Sequence, residues 1–470
     1  MGGVLALLGK SDVIESSFKA IDTIKHRGKG TYIAITDKKY ISETNFSVFT
    51  KKLGAMKSNF VLIANMDKKY ENKSKPEIVL DGTIYNMEKV GRDNNIKAKD
   101  EVEFFHKVVN KNDVEIIDEI DGDYAFISKN RNKIYIGRDI LGIQPLCYGE
   151  TKELIGVASE HGALEVLGLK CNVFDPKELF IYDIKTGRIM NKERRFYSCK
   201  PTLNHYKKTL IEELKQRLTA SVKDKIGDEK KVGLLFSGGL DSSLVATLAK
   251  KAGRNVIGYN ISVDYEDGKD YSEIVKRSAS MLGIKLRKKV ISLKQVEKFI
   301  KDLNKIVDVH DISVALPLFV ISELAKKDKV KILLSGDGSE EIFAGHEKHM
   351  KCLENYGDIN YDCLDHLKKL HDKSLYVNNV IIAQAGMELK MPFYNKKLVN
   401  YVIKIPPHFK INKEEQKIIL KEVSMHLGVP KEIVIKSKVE SHFNIFNKAI
   451  EAIASEKGFE NKEEYLESLR

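Results

Sequence analysis

The chain lacks any apolar run approaching the roughly 18 residues of a membrane span, and it lacks a secretory stretch of basic then apolar residues. Both absences point to a cytoplasmic protein, neither embedded nor exported. Cysteine is sparse and scattered: Cys147, Cys171, Cys199, Cys352 and Cys363 are odd in number and include no CxxC pair. That argues against a disulfide framework or a structural zinc site and fits a reducing compartment. There is no internal repeat and no low-complexity tract. Charge is plentiful but mixed: 79 Lys and Arg against 67 Asp and Glu leave +12, with lysines dispersed beside acids. A solvated surface explains this better than a nucleic-acid footprint, since no aromatic-rich basic stripe accompanies the charge.

What is present suggests about two or three domains in 470 residues, with apolar material for more than one core. The first ~200 residues read as short strands between polar turns: Val4–Leu8, Tyr32–Thr36, Phe60–Ala64, Ile78–Leu80, Tyr124–Ile127 and Lys133–Ile136. Helical patterns interrupt them at Ser16–Lys25 and Glu101–Asn110. After a polar stretch with Pro201, the texture changes. Tyr206–Lys225 is helical, Lys231–Phe236 is a strand leading into a helix through Lys250, Val256–Val263 is a strand before the helix Ser272–Leu282, and Val330–Leu334 is a third strand. Such alternation predicts a parallel, doubly wound α/β sheet. The expected domains are residues 1–200 and 205–470.

The most informative segment is Lys231–Ser243, KVGLLFSGGLDSS. An apolar strand ends at Phe236, Ser237-Gly238-Gly239 turn the chain, and a helix begins near Leu240. Glycines let the backbone approach a phosphate, and a helix start supplies unpaired N–H groups. Ser237, Ser242 and Ser243 offer hydroxyls; Asp241 can hold Mg²⁺. The Walker lysine is absent, so ordinary γ-phosphate transfer is not implied.

The string resembles the pyrophosphate loop of the PP-loop ATP pyrophosphatases. A second segment, Lys331–His346, KILLSGDGSEEIFAGH, is similar to the SG(D/E)GxDExFGG motif of asparagine synthetases. Met387–Tyr394, Ile405–Pro407, Lys417–Glu422 and Val429–Phe443 resemble later motifs of that family in the same order. The resemblance implies a C-terminal PP-loop domain, with cofactors ATP and Mg²⁺, that adenylates a carboxylate, releases pyrophosphate and then amidates the acyl-AMP. It implies an adenosine pocket lined by Phe236, Ile261, Ser335 and Gly336, metal ligands Asp241 and Glu340, catalytic Lys417 and Lys438 reaching the phosphates or the adenylate, and Asp337 at the catalytic acid position. There are departures: Glu340 replaces the family's Asp, Asn379 and Val380 replace an Asp-Arg, and Lys390 replaces an Arg. Lys does not reproduce a bidentate Arg, so these changes bear on the substrate more than on adenylation.

The N-terminal half resembles the family's glutaminase domain, an Ntn-hydrolase αββα sandwich, through His26–Gly28, Gly82–Asn86, Asp121–Phe126, Arg138–Leu146 and Ala158–Glu160. The catalytic parts are missing. The family's nucleophile is a Cys after the initiator Met, acting with its own amine; this chain has Gly2, with Gly3 after it. The strand whose Arg holds the glutamine carboxylate reads Leu62–Met66 without Arg, and the NGE turn has become Asp81-Gly82-Thr83. The expectation is an inactive glutaminase domain serving as scaffold or docking surface.

The resulting expectation is an ATP-dependent amide ligase of the asparagine synthetase type, acting on a small carboxylate such as aspartate with ammonia or another amine. A β-lactam-synthetase-like or pathway-specific ligase is the alternative, although those synthetases carry Tyr at the position of Asp337. A PP-loop RNA-modifying enzyme is a further alternative. The sequence leaves open a homodimer and a separate glutaminase partner that delivers ammonia; neither a membrane nor nucleic acid is an expected partner.

Overall fold

A strand that is apolar at successive positions must be covered on both faces, and the first part of the chain is built from such strands. The computed structural model describes residues 2–28, 30–66, 75–111, 115–195, 197–200, 206–264, 272–304, 306–307, 312–372, 374–435 and 442–469. The chain divides into two units, Met1–Phe196 and Tyr197–Arg470.

In the first unit the strands are β1 (Gly2–Gly9), β2 (Thr31–Ile35), β3 (Tyr40–Glu43), β4 (Phe60–Met66), β5 (Ile78–Ile84), β6 (Gly122–Asn130), β7 (Lys133–Arg138), β8 (Cys147–Glu150), β9 (Leu154–Ala158), β10 (Asn172–Val173), β11 (Glu178–Asp183) and β12 (Ile189–Glu193). They form two antiparallel sheets, ordered β10-β8-β9-β1-β4-β2-β3 and β12-β11-β7-β6-β5. Alternation along each strand assigns its two faces. Val4, Ala6 and Leu8 of β1 join Phe60, Leu62, Ala125, Ile127 and Ile134 in a core between the sheets. Leu5 and Leu7 face a second core, with Ile14, Ala20, Ile21 and Ile24 of the helix Ile14–Ile24. Tyr124 and Phe126 of β6 face a third, with Phe104, Phe105 and Val108 of the helix Glu101–Asn110. Three cores separating four layers make an αββα sandwich. Within it, the RDILGIQPL segment closes a turn: Asp139 accepts hydrogen bonds from the amides of Ile143 and Gln144, both at 3.0 Å.

The second unit holds β13 (Lys231–Leu235), β14 (Asn255–Asp264), β15 (Lys285–Ser292), β16 (Ile332–Leu334) and β17 (Glu388–Lys390). They form one parallel sheet ordered β15-β14-β13-β16-β17. The helices Leu240–Lys251 and Ser272–Leu282 are crossovers. The chain runs outward from β13 to β15 and returns to the other side of β13 with β16. The carboxyl ends of β13 and β16 therefore flank the topological switch point, where doubly wound sheets bind ligands. Sequence periodicity missed β15, because KLRKKVIS carries edge-strand lysines that blunt further pairing. No described helix is long and apolar enough to cross a membrane.

Candidate active site

Both Ser-Gly turns lie at this switch point. After β13, Gly238 adopts a left-handed φ of 75° and Gly239 caps the helix Leu240–Lys251. Ser237 Oγ lies 3.2 Å from Ser242 Oγ and accepts a hydrogen bond from the Gly239 amide at 3.3 Å. The Ser243 hydroxyl is buried and has no hydrogen-bond partner among the described residues. Phe236, directly after β13, and Ile261, within β14, are buried. After β16, the Ser335 amide donates to the Lys390 carbonyl of β17 (3.1 Å), and Ser335 Oγ accepts from the Asp337 amide (3.2 Å). The two turns abut at Gly336: a Cβ there would come 3.0 Å from both Asp241 Cβ and the Ser242 amide nitrogen.

Lys417 ties the turns together. Its Nζ donates to Asp241 Oδ2 at 2.7 Å, to Ser339 Oγ at 2.9 Å and to Glu340 Oε1 at 3.4 Å. Three features make this a costly place for a lysine. It is buried, its φ of 55° is left-handed, and it precedes the positive end of the helix Ile418–His426. Burial pulls its pKa down, yet Asp241 and Glu340 outweigh this and hold it above its ordinary value. Unfavourable backbone concentrated at one charged residue is what functional sites retain.

Asp337 is exposed to water. Crowding by protein is the main influence on its carboxyl; with the charges of Glu341, Asp241 and Glu340 it outweighs the Ser335 hydrogen bond and pushes the pKa to about 6. Asn378 Nδ2 donates to Asp337 Oδ2 at 3.5 Å. Asn379 and Val380 are buried on the helix Ser374–Gln384, and Lys390 pairs with Glu388 at 3.3 Å.

The fold thus gathers Ser237, Asp241, Ser242, Gly336, Glu340 and Lys417 at adjoining strand ends. Lys438 lies outside the described residues. Sequence reasoning passed over Ser339, His346 and Gly345. His346 bridges Glu340 Oε2 (3.3 Å) and Glu341 Oε1 (3.0 Å). A Cβ at Gly345 would stand 2.1 Å from Lys417 Cε, so any side chain there displaces the lysine. Ser339 and Gly345 lie inside the quoted KILLSGDGSEEIFAGH motif; only their contacts across the fold reveal their roles.

In the first unit the surroundings of Gly2 are closely packed. The Gly2 amide donates to Asp81 Oδ1 at 2.8 Å, and a Cβ on Gly2 would approach the Asn65 carbonyl oxygen to 2.8 Å. Asn65 Nδ2 donates to the carbonyls of Ile24 (3.0 Å) and Gly28 (3.3 Å). Arg27, fully buried, donates to the Gly2 carbonyl, to Glu160 at 2.8 Å and to Asp81 at 3.3 Å. His26 Nε2 lies 2.9 Å from the same Glu160 oxygen.

Burial raises the Glu160 pKa, but His26 and Arg27 outweigh it and leave the carboxyl below its ordinary value. A lowered native pKa contributes stability that is complete above the ordinary 4.5 and is lost as pH falls through the native value. Glu160→Gln should therefore destabilise this unit by about 2 kcal/mol at neutral pH, the scale of one hydrogen bond to a charged group, because Arg27 loses its closer carboxylate and keeps Asp81 and the Gly2 carbonyl. The difference from wild type should shrink below pH 4.5 in acid-titrated denaturation; a pH-independent difference would contradict the assignment.

A sequence profile for asparagine synthase matches residues 213–360 and 351–456, and one for a glutamine amidotransferase domain matches residues 1–201. A Methanocaldococcus jannaschii protein named asparagine synthetase (glutamine-hydrolyzing) 1 is 29% identical over 369 residues, covering 71% of this chain and 65% of that protein. A mimivirus (Acanthamoeba polyphaga mimivirus) protein of the same description is 27% identical over 380 residues, 73% of this chain and 68% of the relative. Asparagine synthetase B of Escherichia coli is 24% identical over 441 residues, 88% and 77% of the two chains. The chain spans about two thirds of the length of the first two relatives. The paired Ser-Gly turns at one switch point and these matches along both units lead to one conclusion: the chain belongs to the asparagine synthase family and carries that family's glutamine amidotransferase domain ahead of its synthase domain.

Proposed function

We propose that the chain is an ATP-dependent, AMP-forming amide ligase that activates a carboxylate, aspartate in the first instance, and amidates it with an amine its own first unit does not make. The single observation that carries this reading is Lys417 bridging Asp241 and Glu340 across the two turns. A substrate carboxylate oxygen attacks the α-phosphorus and pyrophosphate leaves; an amine nitrogen then attacks the acyl carbon and AMP leaves.

The donor set suits Mg²⁺. Asp241 Oδ1 is buried and accepts no hydrogen bond from a described residue, and two carboxylates held on one ammonium offer the oxygens this ion prefers. When bound, the ion neutralises charge building on the departing pyrophosphate. The chain supplies the rest. Amides and hydroxyls of Ser237–Ser243 cradle the phosphates, Lys417 stands against the developing charge, and Lys438 is assigned to the same task by its motif. Asp337, ionised above about pH 6, takes a proton from the incoming amine nitrogen. Asn379, Val380 and Lys390 stand where the family has Asp-Arg and Arg, which supports a different carboxylate as the second reading.

In the first unit, Asp81 places a carboxylate where glutamine hydrolysis needs an oxyanion donor, and Asn65 crowds position 2. Gly2→Cys alone should yield no glutaminase activity; measurable glutamate release by that variant would show a working pocket. Pyrophosphate release with aspartate and ammonium, but not with aspartate and glutamine, is the expected result for the wild type. Release that depends on RNA, or none across a broad set of carboxylic acids, would refute the ligase reading.

A further inference from the structure

We infer that His349, Asp362 and His366 form a binding site for a single divalent transition metal of the zinc class, separate from the oxygen-lined Mg²⁺ site. Asp362 and His366 are spaced i, i+4 on the helix Ile359–Lys369, so both side chains project from one face. His349 comes from the neighbouring helix Glu347–Glu354 and is fully buried. One ligand atom from each lies within 4.8 Å of the other two.

Two of the three are orphans: Asp362 Oδ2 and His366 Nδ1 are buried and have no hydrogen-bond partner among the described residues. Buried polar atoms without partners ask for a missing water or ion. His349 Nε2 lies 3.5 Å from Asp362 Oδ2. Bonds of about 2.0–2.2 Å to a tetrahedral ion separate adjacent ligands by about 3.3–3.6 Å, so this pair already has ligand spacing. Two imidazoles and one carboxylate select Zn²⁺ or Co²⁺ over Mg²⁺, and three protein ligands leave one position for water.

The competing arrangement is metal-free. His349 Nδ1 accepts the His346 amide at 3.1 Å, which places the ring proton on Nε2. Binding at Nε2 moves that proton to Nδ1 and releases the His346 amide. Because the His346 ring bridges Glu340 and Glu341, the ion would reach the active-site carboxylates through one residue.

A second trio, Cys147, His161 and Cys171 of the first unit, also gathers within 4.8 Å although its spacing resembles no zinc motif. The experiment must separate the two. Full-length protein stripped with a chelator is titrated with Zn²⁺, and separately with Co²⁺ for its absorption spectrum, in excess Mg²⁺. One equivalent that Mg²⁺ does not displace should bind. Asp362→Asn and His366→Ala should each weaken it by at least about tenfold, the scale set by lesser outer-shell changes, while Cys171→Ser should not. Zn²⁺ should raise the thermal midpoint of wild type and of Cys171→Ser, and leave both site variants unmoved. Circular dichroism without metal checks that the variants fold; Asp362→Asn, nearly isosteric, serves if His366→Ala does not. Equal binding by wild type and both site variants, or loss confined to Cys171→Ser, overturns the assignment. Neither outcome touches the ligase reading, since no turnover is measured.

Discussion

Asp241→Ala should abolish adenylation, with aspartate-dependent ATP–pyrophosphate exchange falling by at least about a hundredfold, the scale of losing one preorganised charge partner at a transition state. Two losses coincide in that substitution. The proposed ion loses a carboxylate whose second oxygen is buried and has no hydrogen-bond partner among the described residues, and Lys417 loses its shortest contact, at 2.7 Å. Glu340 and Ser339 remain on Lys417, so the lysine is not stranded and the unit should still fold. Asp241→Asn separates the two effects: it keeps volume and an acceptor for Lys417 while removing the charge, and should lose nearly as much exchange. Exchange within a few-fold of wild type in both variants would remove Asp241 from the machinery.

Asp337→Asn should split the reaction. Pyrophosphate exchange should survive, because the phosphate cradle is untouched, while overall amide formation should fall by about a hundredfold or more, as for loss of a positioned general base. In wild type the amidation rate should fall as pH drops through about 6, where Asp337 takes up its proton, and this limb should vanish in the variant. Stability should move the other way. A carboxyl whose native pKa stands above its ordinary 3.8 binds protons more tightly when folded, so its contribution is complete below 3.8 and is lost as pH rises through about 6. In the nucleotide-free protein at neutral pH, the variant should gain about 1 kcal/mol, a figure reduced because Asp337 is exposed to water. Equal loss of exchange and amidation would instead make Asp337 part of the adenylation step, and an unchanged melting point would remove the electrostatic argument.

Much of this site could be read along the chain because its chemistry is carried by contiguous turns. SGGLDSS and SGDGSE each follow an apolar strand, and a Ser-Gly turn ahead of a helix leaves amides that an anion can use. The same holds for most strands of the first unit, whose alternate residues serve two cores. β15 escaped because its lysines conceal an edge strand's periodicity. His349, Asp362 and His366 escaped because their relationship spans two helices and follows no sequence spacing.

The sequence alone determined the two-domain organisation it implied, the two Ser-Gly turns that follow apolar strands, and which residues stand at Gly2, Leu62–Met66 and Asp81–Thr83, since each depends on residue types within a few positions of one another. Only tertiary structure decided that the two turns meet at Gly336, that Lys417 stands between Asp241 and Glu340, and that Asn65 and Asp81 occupy the space around Gly2. Those facts depend on distances between segments up to 176 residues apart, which are set by strand order and core packing rather than by local pattern.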